Sequence, residues 1–487
     1  MWTKMSIKSR ITIAYARTKL SSRKVAEGVE NPLHDWVELK VRNTFKQDPE
    51  FRKALGRSSL DEIDRKVFEE YQLYRFRKQL AYVMQNSYYY QKKYGEAGVV
   101  PEAIRTMDDL NKVPLTEPDD LAEEPFLFLC QSQSKIARTF STSGTSGKNK
   151  RLFYTRDDLL NIIDSIAAAL RSAGLLSNET LHIMFPAVVA WDPSLMLEGA
   201  CKVAGLKSVV CSEVDVDEQM RVMKENQARV IIGLTSFIYR ITILAREKYD
   251  LRSLGVKAII CSSEPLSEAV RREMEGAWGC KCLSQYGMTE MGLATTIECQ
   301  EQAGLHINEA DFMVEVIDPD TGKRLPPGKE GELVWTSLSF QGSPLLRYRS
   351  YDISHYIEPP CKCGHSTVGK IGKPKGRRDS ATKIGLGKHI FPVLFDEAIM
   401  NVRGVLNYQL VLDKPSFRDR LHFTVEFNGD IEQGKVNVLE AILALEEIKS
   451  GLDNDLLDPI EVEMKEVSND FTPKMKPIVD KRRRYDS

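Results

Sequence analysis

The stretch GVKAIICSSEPLSEAVRREMEGAWGCKCLSQYGMTE, residues 255 to 290, decides the fold. An apolar run (255–265) precedes an amphipathic segment (268–278), and a second strand-like run (281–290) follows it. Together with RVIIGLTS (229–236), this order predicts strand, strand, helix, strand. Apolar strands separated by amphipathic helices indicate a mostly parallel, helix-covered sheet, in which ligands bind beyond the carboxyl ends of the strands.

The flanking sequence predicts three parts within an α/β fold. Residues 1–75 favour a polar helical extension, and a helical period continues from residue 74 until Gly95 and Gly98. Residues 76–378 are expected to form a large domain of helix-covered, mostly parallel sheets, with a small antiparallel, barrel-like unit built on a hairpin at Asp-Pro-Asp-Thr-Gly (318–322). Residues 379–487 show strand, strand, helix, strand, which predicts a small α+β domain.

Composition limits the functional class. The 487 residues are 28% charged and 42% hydrophobic with a net charge of −1, which is typical of globular proteins and offers no overall attraction for nucleic acid. We expect no nucleic-acid partner, no membrane segment and a cytoplasmic location, because no apolar run is long enough to span a bilayer. The sequence leaves a homodimer open.

A loop rich in glycine and hydroxyl groups, TFSTSGTSGKNKRLFYT, occupies residues 139–155. It is not a kinase-type phosphate loop, because Thr142 and Asn149 stand where that motif needs glycine and serine or threonine. Close backbone approach, hydroxyl donors and one cation still suit phosphate oxygens, and the alternative is a disordered surface loop. The candidate phosphate-binding residues are Thr142, Ser143, Gly144, Thr145, Ser146, Gly147 and Lys148.

This loop resembles the ATP-phosphate loop of the adenylate-forming superfamily, in particular the branch of the phenylacetate-CoA ligases. The resemblance covers roughly residues 75–485 and continues, in order, through SSEP (262–265), QYGMTEMG (285–292), GLHINEADFMVEVIDPDTG (304–322), LRYRSYDIS (346–354), GRRD (376–379), FP (391–392) and KMKPIVDKR (474–482). Motifs in this order form a specific signal.

The resemblance implies a role for each matching residue. Adenine would lie against Ser263, Glu264, Pro265, Tyr286 and Gly287. Glu290 would hold Mg²⁺, with Thr289 beside it in the catalytic set. Asp352 would accept the ribose hydroxyls, and Arg377 would reach the same region. Asp379 falls at the family hinge, which implies that the small C-terminal domain is mobile.

The C-terminal motif implies a catalytic lysine. In the family this lysine neutralises charge between the substrate carboxylate and the α-phosphate, six residues before an aspartate. Counting back from Asp480 gives Lys474, with Lys476 as a competitor, and Pro477 replaces the usual arginine. The implied reaction is adenylation of an aromatic or other apolar acid by ATP, then transfer to coenzyme A. Transfer to another acceptor, or nucleotide binding without catalysis, is the alternative.

Further residues are predicted outside the reaction centre. Cys299, His306, Cys361 and Cys363 suit structural zinc, a pattern that some relatives of the phenylacetate ligases share, and His365 could replace His306. Trp191, Phe237 and Tyr239 are candidates for the acid pocket. Ser380 and the Leu386-Gly387 pair depart from the family pattern near the hinge, which bears on the coenzyme A step.

Overall fold

The computed structural model describes residues 32–143, 149–186, 193–293, 295–384, 389–468, 471 and 478–482. It contains two compact units. The first contains Met1–Leu181, Trp191–Ser208 and Leu283–Lys373, and the second contains His182–Ala190, Val209–Cys282 and Pro374–Ser487. The segment expected to form one large domain, residues 76–378, therefore contributes to both units.

The described α-helices are spread unevenly along the chain, and the first five precede the first strand. They are α1 (Pro32–Gln47), α2 (Pro49–Leu55), α3 (Arg65–Asn86), α4 (Tyr88–Glu96), α5 (Pro118–Glu123), α6 (Arg156–Ser172), α7 (Pro193–Ala204), α8 (Val216–Glu225), α9 (Thr235–Ala245), α10 (Glu268–Trp278), α11 (Pro392–Ile399), α12 (Ile431–Leu443) and α13 (Glu446–Asp453). Among them, none has both the length and the apolar composition needed to cross a bilayer.

The strands are β1 (Ile136–Ser143), β2 (Asn149–Thr155), β3 (Thr180–Met184), β4 (Lys207–Val210), β5 (Ala228–Leu234), β6 (Ala258–Ser262), β7 (Lys281–Tyr286), β8 (Thr296–Glu298), β9 (Leu305–Ile307), β10 (Phe312–Ile317), β11 (Glu330–Ser337), β12 (Tyr348–Ile357), β13 (Lys370–Ile371), β14 (Gly376–Arg377), β15 (Thr382–Lys383), β16 (His389–Ile390), β17 (Val405–Asp413), β18 (Arg420–Phe427), β19 (Glu461–Glu466) and β20 (Ile478–Asp480). The predicted α/β fold is confirmed.

The first unit combines N-terminal helices with antiparallel strands. Its strands run in the order β10, β11, β12, β13, β9, β8, β7, and the predicted hairpin joins β10 to β11. The carboxylate of Asp318 accepts the backbone N–H groups of Asp320 and Thr321, which closes that turn. The continuous helix expected from residue 74 is wrong in one respect: it breaks at Ser87, which caps α4 and donates to the Leu127 carbonyl.

The N-terminal helices are bonded into the first unit through two acidic residues that follow β9. Arg65 of α3 forms a two-pronged ion pair with Glu309, at 2.7 and 3.1 Å, and also donates to the Thr367 carbonyl. Lys40 of α1 lies 2.8 Å from Asp311. The boundary expected at residue 75 falls inside α3, so the extension shares this helix with the sequence that follows.

The second unit contains the first three of the predicted elements, strand, strand and helix. β5 and β6 pair in parallel, and α10 spans the predicted helical stretch 268–278, where the Ser267 side chain caps it. A separate sheet runs in the order β19, β18, β17, β20. The single helix expected within residues 379–487 is two helices, α12 and α13, because Leu445 has an extended backbone between them.

Helix α9 packs on the C-terminal part of the second unit. The Tyr239 hydroxyl donates to the Val405 carbonyl at 3.1 Å, and Arg240 pairs with Glu426 at 2.7 Å. Phe237 and Tyr239 are almost fully buried, with the Phe237 ring centred 5.2 Å from that of Phe471. These two pocket candidates are buried where α9 packs, Tyr239 against Val405 of β17 and Phe237 against Phe471. The third candidate, Trp191, lies outside the described residues.

Candidate active site

The glycine-rich loop is carried by the hairpin of β1 and β2. The strands pair in antiparallel register as far as Ser143 opposite Asn149, and Thr142 lies opposite Lys150. The Thr142 hydroxyl is buried and has no hydrogen-bond partner in the described part of the chain, so it is available to a phosphate oxygen. Residues 144–148, with the predicted Gly144, Thr145, Ser146, Gly147 and Lys148, lie outside the described residues, as does the Ser143 side chain.

Lys150 and Glu290 form a buried ion pair at the end of this hairpin that adjoins the glycine-rich loop. The Lys150 ammonium lies 2.9 Å from Glu290 Oε1 and 2.9 Å from the Tyr348 hydroxyl, which itself donates to the same oxygen at 3.0 Å. Only 8% and 9% of the two charged side chains is exposed. Three distant segments, β2, the turn at 289–291 and β12, therefore meet at one carboxylate.

The ion pair keeps Glu290 ionised. Burial by itself would raise the pKa of Glu290, but the adjacent Lys150 charge and hydrogen bond outweigh it, so that the pKa lies below its ordinary value. Sequence reasoning missed Lys150, although its basic character is visible in the run GKNKR. An ionised carboxylate next to a phosphate-type loop is a suitable ligand for Mg²⁺.

The turn that carries Glu290 is fixed by its neighbours. The Tyr154 hydroxyl donates to the Thr289 carbonyl, and Thr289 is itself buried. Gly287 leaves no room for a side chain, because a Cβ atom there would lie 1.7 Å from the Leu293 carbonyl oxygen. Glycine is therefore required at position 287 by the protein's own backbone, and the contact of Gly287 with adenine stays a prediction.

Tyr286 and Asp352 lie side by side in the first unit. The Tyr286 hydroxyl donates to Asp352 Oδ2 at 2.6 Å, and its ring lies 5.9 Å from that of Trp335. Burial, with the Asp352 charge, raises the pKa of Tyr286 well above its ordinary value, so the phenol stays a donor. Tyr351 adopts a φ of +63°, a strained backbone that turns the chain immediately before Asp352.

The remaining adenine candidates belong to the second unit. Ser263 follows β6 with a φ of +69°, and Pro265 is exposed. The Glu264 carboxylate accepts the Ser236 backbone N–H at 2.8 Å, and its carbonyl accepts the Thr235 hydroxyl at 3.2 Å. These bonds fix the SSEP turn against the start of α9.

Arg377 and the C-terminal motif also lie in the second unit. The Arg377 guanidinium forms a two-pronged bond to Asp379, at 2.9 and 2.6 Å. Lys474 and its competitor Lys476 lie outside the described residues. Asp480, from which Lys474 was counted, is held on β20 by the Thr382 hydroxyl at 3.0 Å.

The four predicted metal ligands come together. The donor atoms of Cys299, His306, Cys361 and Cys363 all lie within 4.8 Å of one another. Cys299 Sγ is 3.9 Å from Cys361 Sγ, and Cys363 Sγ is 3.4 Å from His306 Nε2. A tetrahedral zinc ion with bonds of about 2.3 Å to sulfur and 2.0 Å to nitrogen requires separations of about 3.8 and 3.5 Å.

Electrostatics within the cluster favour a thiolate. A hydrogen bond from Cys363 is the largest reason that the pKa of Cys299 is lowered, and His306 lowers it further. His365, the alternative ligand, stacks on the His306 ring at 4.1 Å, and burial lowers its pKa to about 2. The geometry therefore favours His306 over His365 as the nitrogen donor.

Comparison with known proteins gives consistent matches. Residues 98–339 match the profile of the AMP-binding enzyme family. A phenylacetate-coenzyme A ligase of Thermus thermophilus is 29% identical over 83% of this chain and 93% of its own length, and one of Aromatoleum evansii is 30% identical over 75% and 82%. A 2-hydroxyisobutyryl-CoA ligase crystallised in the postadenylation state has a similar fold, with a TM-score of 0.72 at 21% identity, covering 85% of this chain and 90% of that one.

Proposed function

Because the chain belongs to the AMP-binding enzyme family, in the branch of the phenylacetate-CoA ligases, we propose that it activates a carboxylic acid with ATP and transfers the acyl group to coenzyme A. An aromatic acid is the proposed substrate, since the relatives that match over most of their length are named phenylacetate-coenzyme A ligases. The observation that carries the proposal is the ionised Glu290, buried beside Lys150 at the base of the glycine-rich loop.

Neither adenylation nor transfer to coenzyme A needs a nucleophile from the protein. A carboxylate oxygen attacks the α-phosphorus, the bond to the β-phosphate oxygen breaks, and pyrophosphate leaves. The coenzyme A sulfur then attacks the acyl carbon, AMP leaves with the oxygen, and the thiol proton passes to solvent. Catalysis by the protein consists of positioning and charge stabilisation.

Each site residue has a role in these steps. Glu290 would hold Mg²⁺, which neutralises phosphate charge, and Lys150 keeps that carboxylate ionised and oriented. The Thr142 hydroxyl would donate to a phosphate oxygen. Asp352 would accept the ribose hydroxyls, since its two oxygens match two neighbouring donors.

Exchange of labelled pyrophosphate into ATP tests the first step. We expect exchange that depends on Mg²⁺ and on an added aromatic acid such as phenylacetate, because adenylation is reversible while pyrophosphate is present. A panel of carboxylic acids would then identify the preferred substrate. Absence of exchange with every acid would contradict the proposed adenylation.

Replacement of Asp352 by asparagine tests the ribose contact. We expect kcat/KM for ATP to fall by about 10- to 100-fold, because hydrogen bonds to a charged acceptor contribute about 1.5–3 kcal/mol. Tyr286→Phe is the matched control, since it removes only the hydroxyl group that donates to Asp352. We expect it to lower kcat/KM for ATP by less than about tenfold. Equal losses in the two variants would show that Asp352 acts through Tyr286 alone.

A different acyl acceptor is the second candidate. Ser380, which stands where the family has an acid, donates to the Arg377 carbonyl at 3.0 Å, and Leu386 and Gly387 lie outside the described residues. Consumption of free thiol when coenzyme A, ATP and the acid are combined would support coenzyme A as the acceptor. Adenylation with no thiol consumption would favour the second candidate.

Structural zinc is proposed for the Cys299, His306, Cys361 and Cys363 cluster. Four protein donors within 4.8 Å of one another would fill a tetrahedral site and leave no position for substrate, so the ion would join the loop after β8 to the loop after β12. Cytoplasmic location, the absence of a nucleic-acid partner and a homodimer remain predictions.

Metal analysis of protein purified without an affinity tag tests the zinc site. We expect about one equivalent of zinc per chain, because closed four-ligand sites hold zinc tightly. Cys363→Ser should lower the content below about half an equivalent, whereas Cys280→Ser, which changes a cysteine of the second unit, should leave it unchanged. Less than half an equivalent in the unaltered protein would contradict the site.

A further inference from the structure

Lys370 lies beside the metal-binding cluster with little access to solvent. Lys370 is 5% exposed. Its ammonium lies 3.4 Å from Cys361 Sγ and 2.8 Å from the Ala303 carbonyl oxygen. Removing an ammonium from water costs several kcal/mol unless an anion compensates for it. The side chain therefore needs a negative charge nearby, and of its two contacts the Cys361 sulfur is the one that can carry a full negative charge.

The cluster supplies that charge when it holds zinc. Zinc deprotonates the thiols that coordinate it, so three thiolates and one neutral imidazole around Zn²⁺ leave a net charge of −1. We propose that Lys370 is the counter-ion of this cluster: its ammonium donates to the Cys361 thiolate and cancels the remaining negative charge. This role of Lys370 depends on the zinc site proposed above. It adds to that site a residue that is not itself a ligand.

Backbone pairing fixes Lys370 in this place. In β13, Lys370 is the antiparallel partner of the ligand His306 on one side and of Ile357 at the end of β12 on the other. Its side chain also spans the two loops that carry the ligands, because Ala303 lies between Cys299 and His306 while Cys361 follows β12. The position of the charge is thus set by the same strands that bring the ligands together.

The counter-ion has a chemical consequence for metal loss. An ammonium that donates to a ligating sulfur holds that ligand in its orientation, so loss of the donor weakens the hold on the metal. Hydrogen-bond partners of metal ligands typically change metal affinity by about 10- to 100-fold. Lys370 is therefore a positioning residue that slows zinc release, with no part in the transfer of the acyl group.

The test is the rate at which a chelating metallochromic indicator removes zinc from the full-length protein. Lys370→Met should release zinc at least about tenfold faster than the unaltered protein, because it removes the charge and the donor together. Lys370→Gln retains an N–H donor without the charge and should fall between them. Lys362→Met is the matched control, because Lys362 separates two ligands in sequence but is exposed, and it should release zinc within about twofold of the unaltered rate.

The zinc-release rates of the two Lys370 variants decide whether Lys370 is the counter-ion. Release of zinc from Lys370→Met at the unaltered rate overturns the proposal. Fast release from Lys370→Met with an unaltered rate in Lys370→Gln also overturns it, because a hydrogen bond without a charge would then be enough to retain the zinc. If Lys370→Met does not fold, Lys370→Gln decides, and an unaltered rate overturns the proposal. Protein that contains no zinc refutes the zinc site and this inference together, while pyrophosphate exchange reports separately on adenylation.

Discussion

Replacing Lys150 with methionine should lower the free energy of unfolding of the protein by about 3–5 kcal/mol, measured by urea unfolding at pH 8. Lys150 and Glu290 are each less than a tenth exposed, and removal of one partner leaves a buried charge uncompensated. Adding Glu290→Gln to Lys150→Met should recover most of the loss, because the double variant has no buried charge at this position. Lys248→Met, which breaks an exposed pair with Asp217, should cost less than about 1 kcal/mol.

The effect of Lys150→Met should depend on pH in a defined direction. In the unaltered protein the pKa of Glu290 is lowered on folding, so its stabilising contribution is complete above the unfolded pKa and is lost as the pH falls through the folded pKa. In the variant, burial without the lysine should raise this pKa, and protonation then relieves the penalty. The difference in unfolding free energy should therefore be smaller at pH 5 than at pH 8. A difference that is larger at pH 5 would contradict the assignment.

Replacing Lys474 with alanine should reduce the rate of acid-dependent pyrophosphate exchange by about 10²- to 10³-fold. A cation that meets charge developing at the α-phosphorus contributes mainly in the transition state, so the KM for ATP should change by less than about threefold. Lys474 lies outside the described residues, six positions before Asp480, whose carboxylate is held by Thr382 and Arg482.

Lys476→Ala is the control for this assignment. It removes the same charge two residues away, and its exchange rate should stay within about threefold of the unaltered rate. The larger loss occurring in Lys476→Ala would transfer the role to Lys476. Loss of exchange in both variants, with KM for ATP raised in each, would instead indicate a shared electrostatic contribution to nucleotide binding.

The fold was predictable where a local pattern and the tertiary structure agree. The stretch 255–290 yields β6, α10 and β7 because its strands are short and apolar, and Ser267 caps the helix between them. The helical pattern near residue 87 runs on without a break in the sequence. Ser87 interrupts it because its hydroxyl bonds to Leu127, a contact that no local period contains.

The sequence predicts which residues belong to the site better than it predicts which of them contact one another. Glu290 was identified through the family motif, yet its partner Lys150 lies 140 residues away in a run of several basic residues. Spacing alone left His306 and His365 open, and the structure distinguishes them because His306 lies in β9 with its Nε2 beside Cys363. Contacts across such separations depend on strand register, which a single sequence does not contain.

The bonds from α1 and α3 to the segment after β9 bear on how the chain is made. Trp36, Val37 and Val41 are fully buried in the finished protein, while Arg65 reaches Thr367, 302 residues later. At a synthesis rate of about 5–20 residues per second, the ribosome needs roughly 15 to 60 s to deliver this partner of Arg65. During that interval α3 cannot complete its bonds to the segment after β9, although Trp36 of α1 can already bond to Asp164 of α6.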